Sequence, residues 1–169
     1  MIRAGYTVPR MWQLIDVDQR FEQPLMETGD AVHIGDALAC DWQGAVVTNP
    51  PFSLLDEYVR RVIRHVDEER GIGIVLTRGQ WPDEPGRRWL RETRLPHLEL
   101  RMCWRVDFAG DGHSDNATYA WWVWLTGAAP ETTTKVWLER PRVSDELVED
   151  HRRWSQLSTE PRQHSLEVA

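Results

Sequence analysis

The chain has 169 residues, of which 41% are hydrophobic and 28% charged, values typical of one globular domain with a single core. Its formal net charge of -7 excludes a protein that coats nucleic acid through bulk charge, although a local basic face stays compatible with that charge. The chain contains neither an apolar stretch of membrane-spanning length nor the apolar run of a signal peptide. We therefore expect a cytoplasmic protein that has no membrane partner.

Cysteine and histidine spacing argues against metal and disulfide sites. The two cysteines, Cys40 and Cys103, form no CxxC pair, and the six histidines show no metal-ligand spacing. We expect reduced, packed thiols and no metal. Ten tryptophans are many for this length, so some must lie near the surface, where a base or a partner could stack on them.

The apolar pattern predicts short strands that alternate with helices and then follow one another directly. In chain order we expect strands at 11–17, 31–34 and 44–47, a helix at 53–69, a strand at 72–77, a helix at 87–92 and strands at 98–106, 118–126 and 135–138. Ser53, with Asp56 three residues on, fits the N-cap of the first helix.

This order of elements predicts an α/β fold, with a mostly parallel sheet that ends in a C-terminal antiparallel hairpin. The Gly-, Asp- and Asn-rich segment 107–117 is the expected hairpin loop. We expect a single domain over residues 1–140. A polar tail, partly helical or disordered, follows over residues 141–169.

The third predicted strand is followed by Asn49-Pro50-Pro51-Phe52. The two prolines stiffen the chain and keep the residues before them out of the helical region. The Asn49 side chain and the Pro50 carbonyl can then both face the space beyond the strand, where open parallel sheets bind ligands. Two acceptors suit the two N–H donors of an exocyclic amino group, and Phe52 offers a face on which a base can stack.

The same four residues match the motif [Asn/Asp/Ser]-Pro-Pro-[Tyr/Phe/Trp], and the chain resembles the S-adenosylmethionine-dependent DNA amino-methyltransferases, in particular the phage-type adenine enzymes. Val106 to Gly110 fits a Phe-x-Gly element of that family, and Gly112 to Trp124 fits its following loop and strand. The similarity covers residues 12 to 126 and implies a Rossmann-like methyltransferase sheet.

The resemblance implies methyl transfer from S-adenosylmethionine to the amino group of an adenine that is flipped out of DNA. The amino group would be held by the Asn49 carboxamide and the Pro50 carbonyl while the base stacks on Phe52. This arrangement would stabilise the positive charge that develops on nitrogen during a direct displacement. The implied catalytic loop is Asn49, Pro50, Pro51 and Phe52.

Two acidic residues match the cofactor-binding residues of the family. Asp18 follows the first predicted strand and matches the residue that binds the ribose hydroxyls. Asp36 follows the second strand and matches the residue near the adenine of the cofactor. The residues alone also allow a solvated strand end for Asp18 and a turn cap for Asp36.

The glycine-rich loop of the family has no counterpart, because Gly5 is the only glycine before Asp18. The sheet would therefore be incomplete, and three readings follow. The strand at 12–17 fills the central position, or a second copy or a partner chain completes the sheet. In the third reading, the chain is a non-catalytic binding module derived from this fold.

Arginines and tryptophans alternate in the middle of the chain and predict a surface that grips phosphates and stacks bases. The alternative reading is a solvated face in which the arginines pair with Asp and Glu. The residues concerned are Arg60, Arg61, Arg64, Arg87, Arg88, Arg91, Arg94, Arg101, Arg105, Trp81, Trp89 and Trp104.

Overall fold

A computed structural model of the chain describes residues 12–16, 26, 31–68, 71–106 and 116–140. Within these residues it contains seven strands and two α-helices. The strands are β1 (Trp12–Asp16), β2 (Ala31–Ile34), β3 (Ala45–Thr48), β4 (Ile72–Arg78), β5 (Leu98–Met102), β6 (Tyr119–Trp124) and β7 (Thr134–Leu138), and the helices are α1 (Leu55–Glu68) and α2 (Arg88–Thr93).

The strands form one mixed sheet in the order β2-β1-β3-β4-β6-β5-β7. All neighbours pair in parallel except β6, which runs antiparallel to both β4 and β5. The predicted α/β class, the mostly parallel sheet and the β5–β6 hairpin are therefore confirmed. Strand β7 lies at one edge of the sheet.

Strand β1 lies between β2 and β3, so this part of the sheet has no gap. Gln13 stands opposite Ala31 on one side and Val46 on the other. Its buried side chain donates to the Asp41 carbonyl (3.1 Å) and accepts from the Gln43 amide (2.8 Å). These two hydrogen bonds fix the segment that leads into β3 beside β1. Strand β1 therefore occupies the position beside β3. In one of the alternatives above, a second chain would have filled this position.

Helix α1 packs its apolar stripe on one face of the sheet. Tyr58, Val59 and Val62 are buried, and Val62 lies directly over Gly73 of β4. A cluster of tryptophans and aliphatic residues joins this face to both helices, including Val75, Trp122 and Trp124 of the sheet and Leu90 of α2. A smaller cluster around Leu76, Met102 and Tyr119 is built on the opposite face.

The start of the first helix was predicted wrongly. The chain forms a 3-10 turn over Phe52–Leu54 before α1, and the Leu54 amide donates to the Pro51 carbonyl at 3.0 Å. Pro51 stands at the cap position with an extended ψ of 135° and no side-chain cap bond, so Ser53 is not the N-cap. Leu54 is 38% exposed rather than part of the apolar stripe, because the 3-10 turn rotates it away from the sheet.

Other boundaries shift by one or two residues, except at β5, which ends at Met102 instead of residue 106 because the chain bends at Cys103 and Trp104. Cys103 is exposed, against the expectation that both thiols are packed, whereas Cys40 is half-buried, and both are free. Asp18, residues 107–115 of the loop and the tail 141–169 lie outside the described residues. None of the described helices is long and apolar enough to cross a membrane.

Candidate functional site

The parallel strands β1 to β4 point their carboxyl ends to one edge of the sheet. At this edge Asp36 follows β2, Asn49 follows β3 and Arg78 is the last residue of β4. Open parallel sheets bind ligands at this edge, because side chains and loops there converge without blocking the core. The fold therefore brings the loop Asn49–Phe52 and Asp36 to the expected side of the molecule.

The loop after β3 combines a buried and an exposed part. Pro50 is buried, which anchors the loop, while the Asn49 side chain is exposed. No hydrogen-bond partner of the Asn49 carboxamide or the Pro50 carbonyl lies within the described part of the chain. The Pro51 carbonyl, in contrast, accepts from Leu54. The exposed Asn49 carboxamide therefore has acceptor capacity for a ligand that carries N–H donors.

The Phe52 ring projects from the start of the 3-10 turn and is 48% exposed. The Arg78 guanidinium carbon lies 4.7 Å from its ring centroid, a cation–π contact between the ends of two neighbouring strands. A flat ligand that stacks on Phe52 meets Arg78 there and stacks on the opposite face or displaces the guanidinium. The sequence reading missed Arg78, although an arginine that ends an apolar strand was a visible signal.

Asp36 occupies a turn. Its Oδ1 accepts from the Leu38 amide at 2.9 Å, and its carbonyl accepts from the Ala39 amide at 3.1 Å. Gly35 precedes it with a positive φ of 152°. The geometry agrees with the turn-cap reading, although the exposed carboxylate keeps acceptor capacity on its second oxygen. The two predicted cofactor residues are not seen together, because Asp18 lies outside the described residues.

A hydrogen-bond network fixes the wall of the site between α1 and the connection after β4. Asp56 in the first turn of α1 accepts from Trp81 Nε1 at 3.2 Å and from Arg87 Nε at 3.1 Å. Arg87 also lies over the Trp81 ring, 5.3 Å from the centroid, and pairs with Glu84. Asp56 therefore orients the segment beside the candidate loop instead of capping the helix.

The central arginines divide between the two interpretations: Arg87, Arg88, Arg94 and Arg101 pair with acidic side chains, whereas Arg60 and Arg61 lie over tryptophan rings. Arg60 stacks on Trp89 at 3.8 Å, in a groove of about 300 Å³ along α1 and α2. The acid pairs within the described ranges are Arg87–Asp56, Arg87–Glu84, Arg88–Glu92, Arg94–Asp67, Arg101–Glu99 and Lys135–Glu99. Arg101 differs from the others because it lies near the carboxyl edge of the sheet.

No group of three or more His, Cys, Asp and Glu residues that could hold a metal ion occurs within the described ranges. Comparison of the chain with protein-family models finds no family that matches it. A search of curated proteins finds no matching relative.

Proposed function

We propose that the loop Asn49–Phe52 binds the exocyclic amino group of an adenine in DNA, and that the chain transfers a methyl group to it from S-adenosylmethionine. The observation that carries this proposal is the pairing of an exposed carboxamide with a half-exposed phenyl ring at the carboxyl end of a parallel strand. One group accepts N–H donors, and the other stacks a base. The motif resemblance supplies the reaction class.

In this proposal, each residue of the loop Asn49–Phe52 has a different role. Asn49 Oδ1 and the Pro50 carbonyl accept the two amino hydrogens. These two bonds orient the nitrogen lone pair away from the acceptors and toward the methyl donor. As nitrogen attacks, it gains positive charge, and the two acceptors stabilise that charge. Buried Pro50 keeps its carbonyl fixed, so little reorganisation is needed. S-adenosylmethionine would supply an electrophilic methyl group: the methyl–sulfur bond would break as the nitrogen–methyl bond forms, the thioether would leave, and the methylated nitrogen would lose one proton to water, with no covalent intermediate on the protein.

The residues for the cofactor fit only in part. Asp36 presents an exposed carboxylate at the carboxyl edge, suited to accept from a hydroxyl or amino group. A glycine turn that allows close approach of the backbone has no counterpart in the sequence, and β1 pairs directly with β3. We therefore derive no contact to the methionine part of the cofactor.

A second candidate function is a non-catalytic module that binds the base but transfers nothing. The direct β1–β3 pairing and the use of Asp36 Oδ1 in its own turn favour this alternative. Both candidates share the Asn49–Phe52 site and differ in whether S-adenosylmethionine binds.

Calorimetry with S-adenosylmethionine, beside transfer of a labelled methyl group to DNA, separates the two. The proposal expects saturable cofactor binding and a loss of transfer of about 100-fold or more in Asn49→Ala, the usual cost of one electrostatic partner in a transition state. Asn49→Asp keeps an acceptor oxygen and is the matched control, with most transfer retained. If S-adenosylmethionine does not bind at millimolar concentration, the methyl-transfer proposal is overturned and the non-catalytic binding module is the remaining candidate. Unchanged transfer in Asn49→Ala contradicts the assigned mechanism.

A further inference from the structure

A row of side chains crosses the sheet from β4 to β7 near its carboxyl edge. Thr77 stands opposite Ala120, Ala120 opposite Arg101, and Arg101 opposite Trp137. Residues that stand opposite each other in adjacent strands share one face of the sheet. Ala120 is small and fully buried, so Arg101 can reach over β6 and donate from Nη2 to the Gly79 carbonyl at 3.0 Å.

Trp137 at the outer end of this row is 61% exposed, more than any other large aromatic in the described residues. The Arg101 guanidinium carbon lies 5.7 Å from its ring centroid. Exposing an indole to water is unfavourable, since tryptophan usually provides core or interface area. An exposed indole beside an arginine is suited to stack a flat, negatively charged ligand.

Three charged side chains beside Trp137, namely Glu99, Arg101 and Lys135, leave this part of the sheet with an excess of one positive charge. Glu99 is buried, accepts from Arg101 at 2.6 Å and forms an ion pair with Lys135 (Nζ to Oε2, 3.3 Å), so one carboxylate faces two cations. Gly79, which accepts from Arg101, directly follows Arg78 and its contact with Phe52. Cationic and aromatic groups therefore continue from the candidate loop to the sheet edge, on a chain whose net charge is -7.

We propose that Arg101, Lys135 and Trp137, here called the tryptophan row, bind the single-stranded DNA that flanks the target base. The inference rests on the proposed function and adds that the substrate is single-stranded. Trp137 stacks one base while Arg101 and Lys135 attract the phosphates. Paired bases in a duplex offer no free face to an indole. Three strand spacings separate β4 from β7, about 14 Å, a distance that a few nucleotides span.

Fluorescence anisotropy with a labelled single strand of about 12 nucleotides, without cofactor, tests the row. Trp137→Ala is expected to raise Kd about 5-fold or more, because base–aromatic stacking contributes at this level. Trp137→Phe keeps an aromatic face and stays within about 2-fold. Circular dichroism checks that each variant is folded.

An unchanged Kd in folded Trp137→Ala overturns the proposal that the tryptophan row binds single-stranded DNA. Binding of duplex DNA as tight as that of the single strand also overturns it. The proposed function is judged separately by methyl transfer. If the wild-type chain transfers methyl groups but Trp137→Ala does not change Kd, only the proposed role of the tryptophan row is overturned. Binding that depends on Trp137 without any transfer supports the row and overturns the methyltransferase.

Discussion

Single side chains set the chemistry of the carboxyl edge. Asn49 presents a carboxamide to solvent, while Pro50 beside it is buried. The exposed polar group is therefore attached to a part of the backbone that is fixed by packing. The Arg78 guanidinium carbon lies 4.7 Å from the centroid of the Phe52 ring, so a base that stacks on Phe52 would also meet this cation.

His97 makes the stability of the chain depend on pH. Its Nδ1 accepts from the Leu125 amide at 3.1 Å, so the neutral ring carries its proton on Nε2 and donates it to the Ala128 carbonyl at 3.2 Å. Burial lowers the pKa of His97 below 6.5, the bond to Ala128 opposes this, and Arg94 lowers the pKa further. Protonation of Nδ1 breaks the bond to Leu125.

Because the unfolded chain binds this proton more readily, stability is fully present above the unfolded pKa of about 6.5 and is lost as pH falls toward the folded pKa. We expect the urea midpoint to fall between about pH 7.5 and pH 5.5, a range that spans the ordinary pKa of histidine. In His97→Gln this fall becomes smaller, while all other titratable groups are the same in the two proteins. An identical pH dependence in the two proteins would rule out His97 as its source.

Among the elements, α1 packs closely on β4. Gly73 lets the helix approach the strand so closely that an added Cβ would collide with Val62 Cγ1. The same helix begins beside the candidate loop, so its position on the sheet also sets the position of Phe52. Packing of α1 on β4 therefore links the stability of the core to the geometry of the site.

We expect Gly73→Ala to destabilise the chain by about 1–3 kcal/mol through overpacking, measured as a lower urea midpoint with an unchanged m-value. Gly86→Ala is the matched control, because an added Cβ there meets nothing within 4 Å and its stability should stay near that of the wild type. Equal midpoints for the two variants would mean that α1 does not pack on β4 as described.

Across the whole molecule, the sequence predicts local features well and long-range order poorly. Apolar runs located the strands because burial demands them, and Asn49–Phe52 marked the carboxyl edge because two prolines restrict the chain. The place of β1 beside β3 was left open among three readings, since it depends on pairing between distant segments. Contacts across strands, such as Arg78 with Phe52 and Arg101 with Trp137, depend on register, which the sequence pattern does not reveal.

The most direct test of the account compares two single-stranded oligonucleotides that differ only in one amino group. One carries a single adenine, and the other carries purine, which has hydrogen in place of the amino group. We expect the wild-type chain to bind the adenine strand about 5-fold more tightly, the contribution of about one net hydrogen bond. Asn49→Ala should show a smaller preference, because only the Pro50 carbonyl is left to accept from the amino group. A wild-type chain that does not distinguish the two strands, or an Asn49→Ala chain whose preference is as large as that of the wild type, would contradict recognition of an amino group by Asn49.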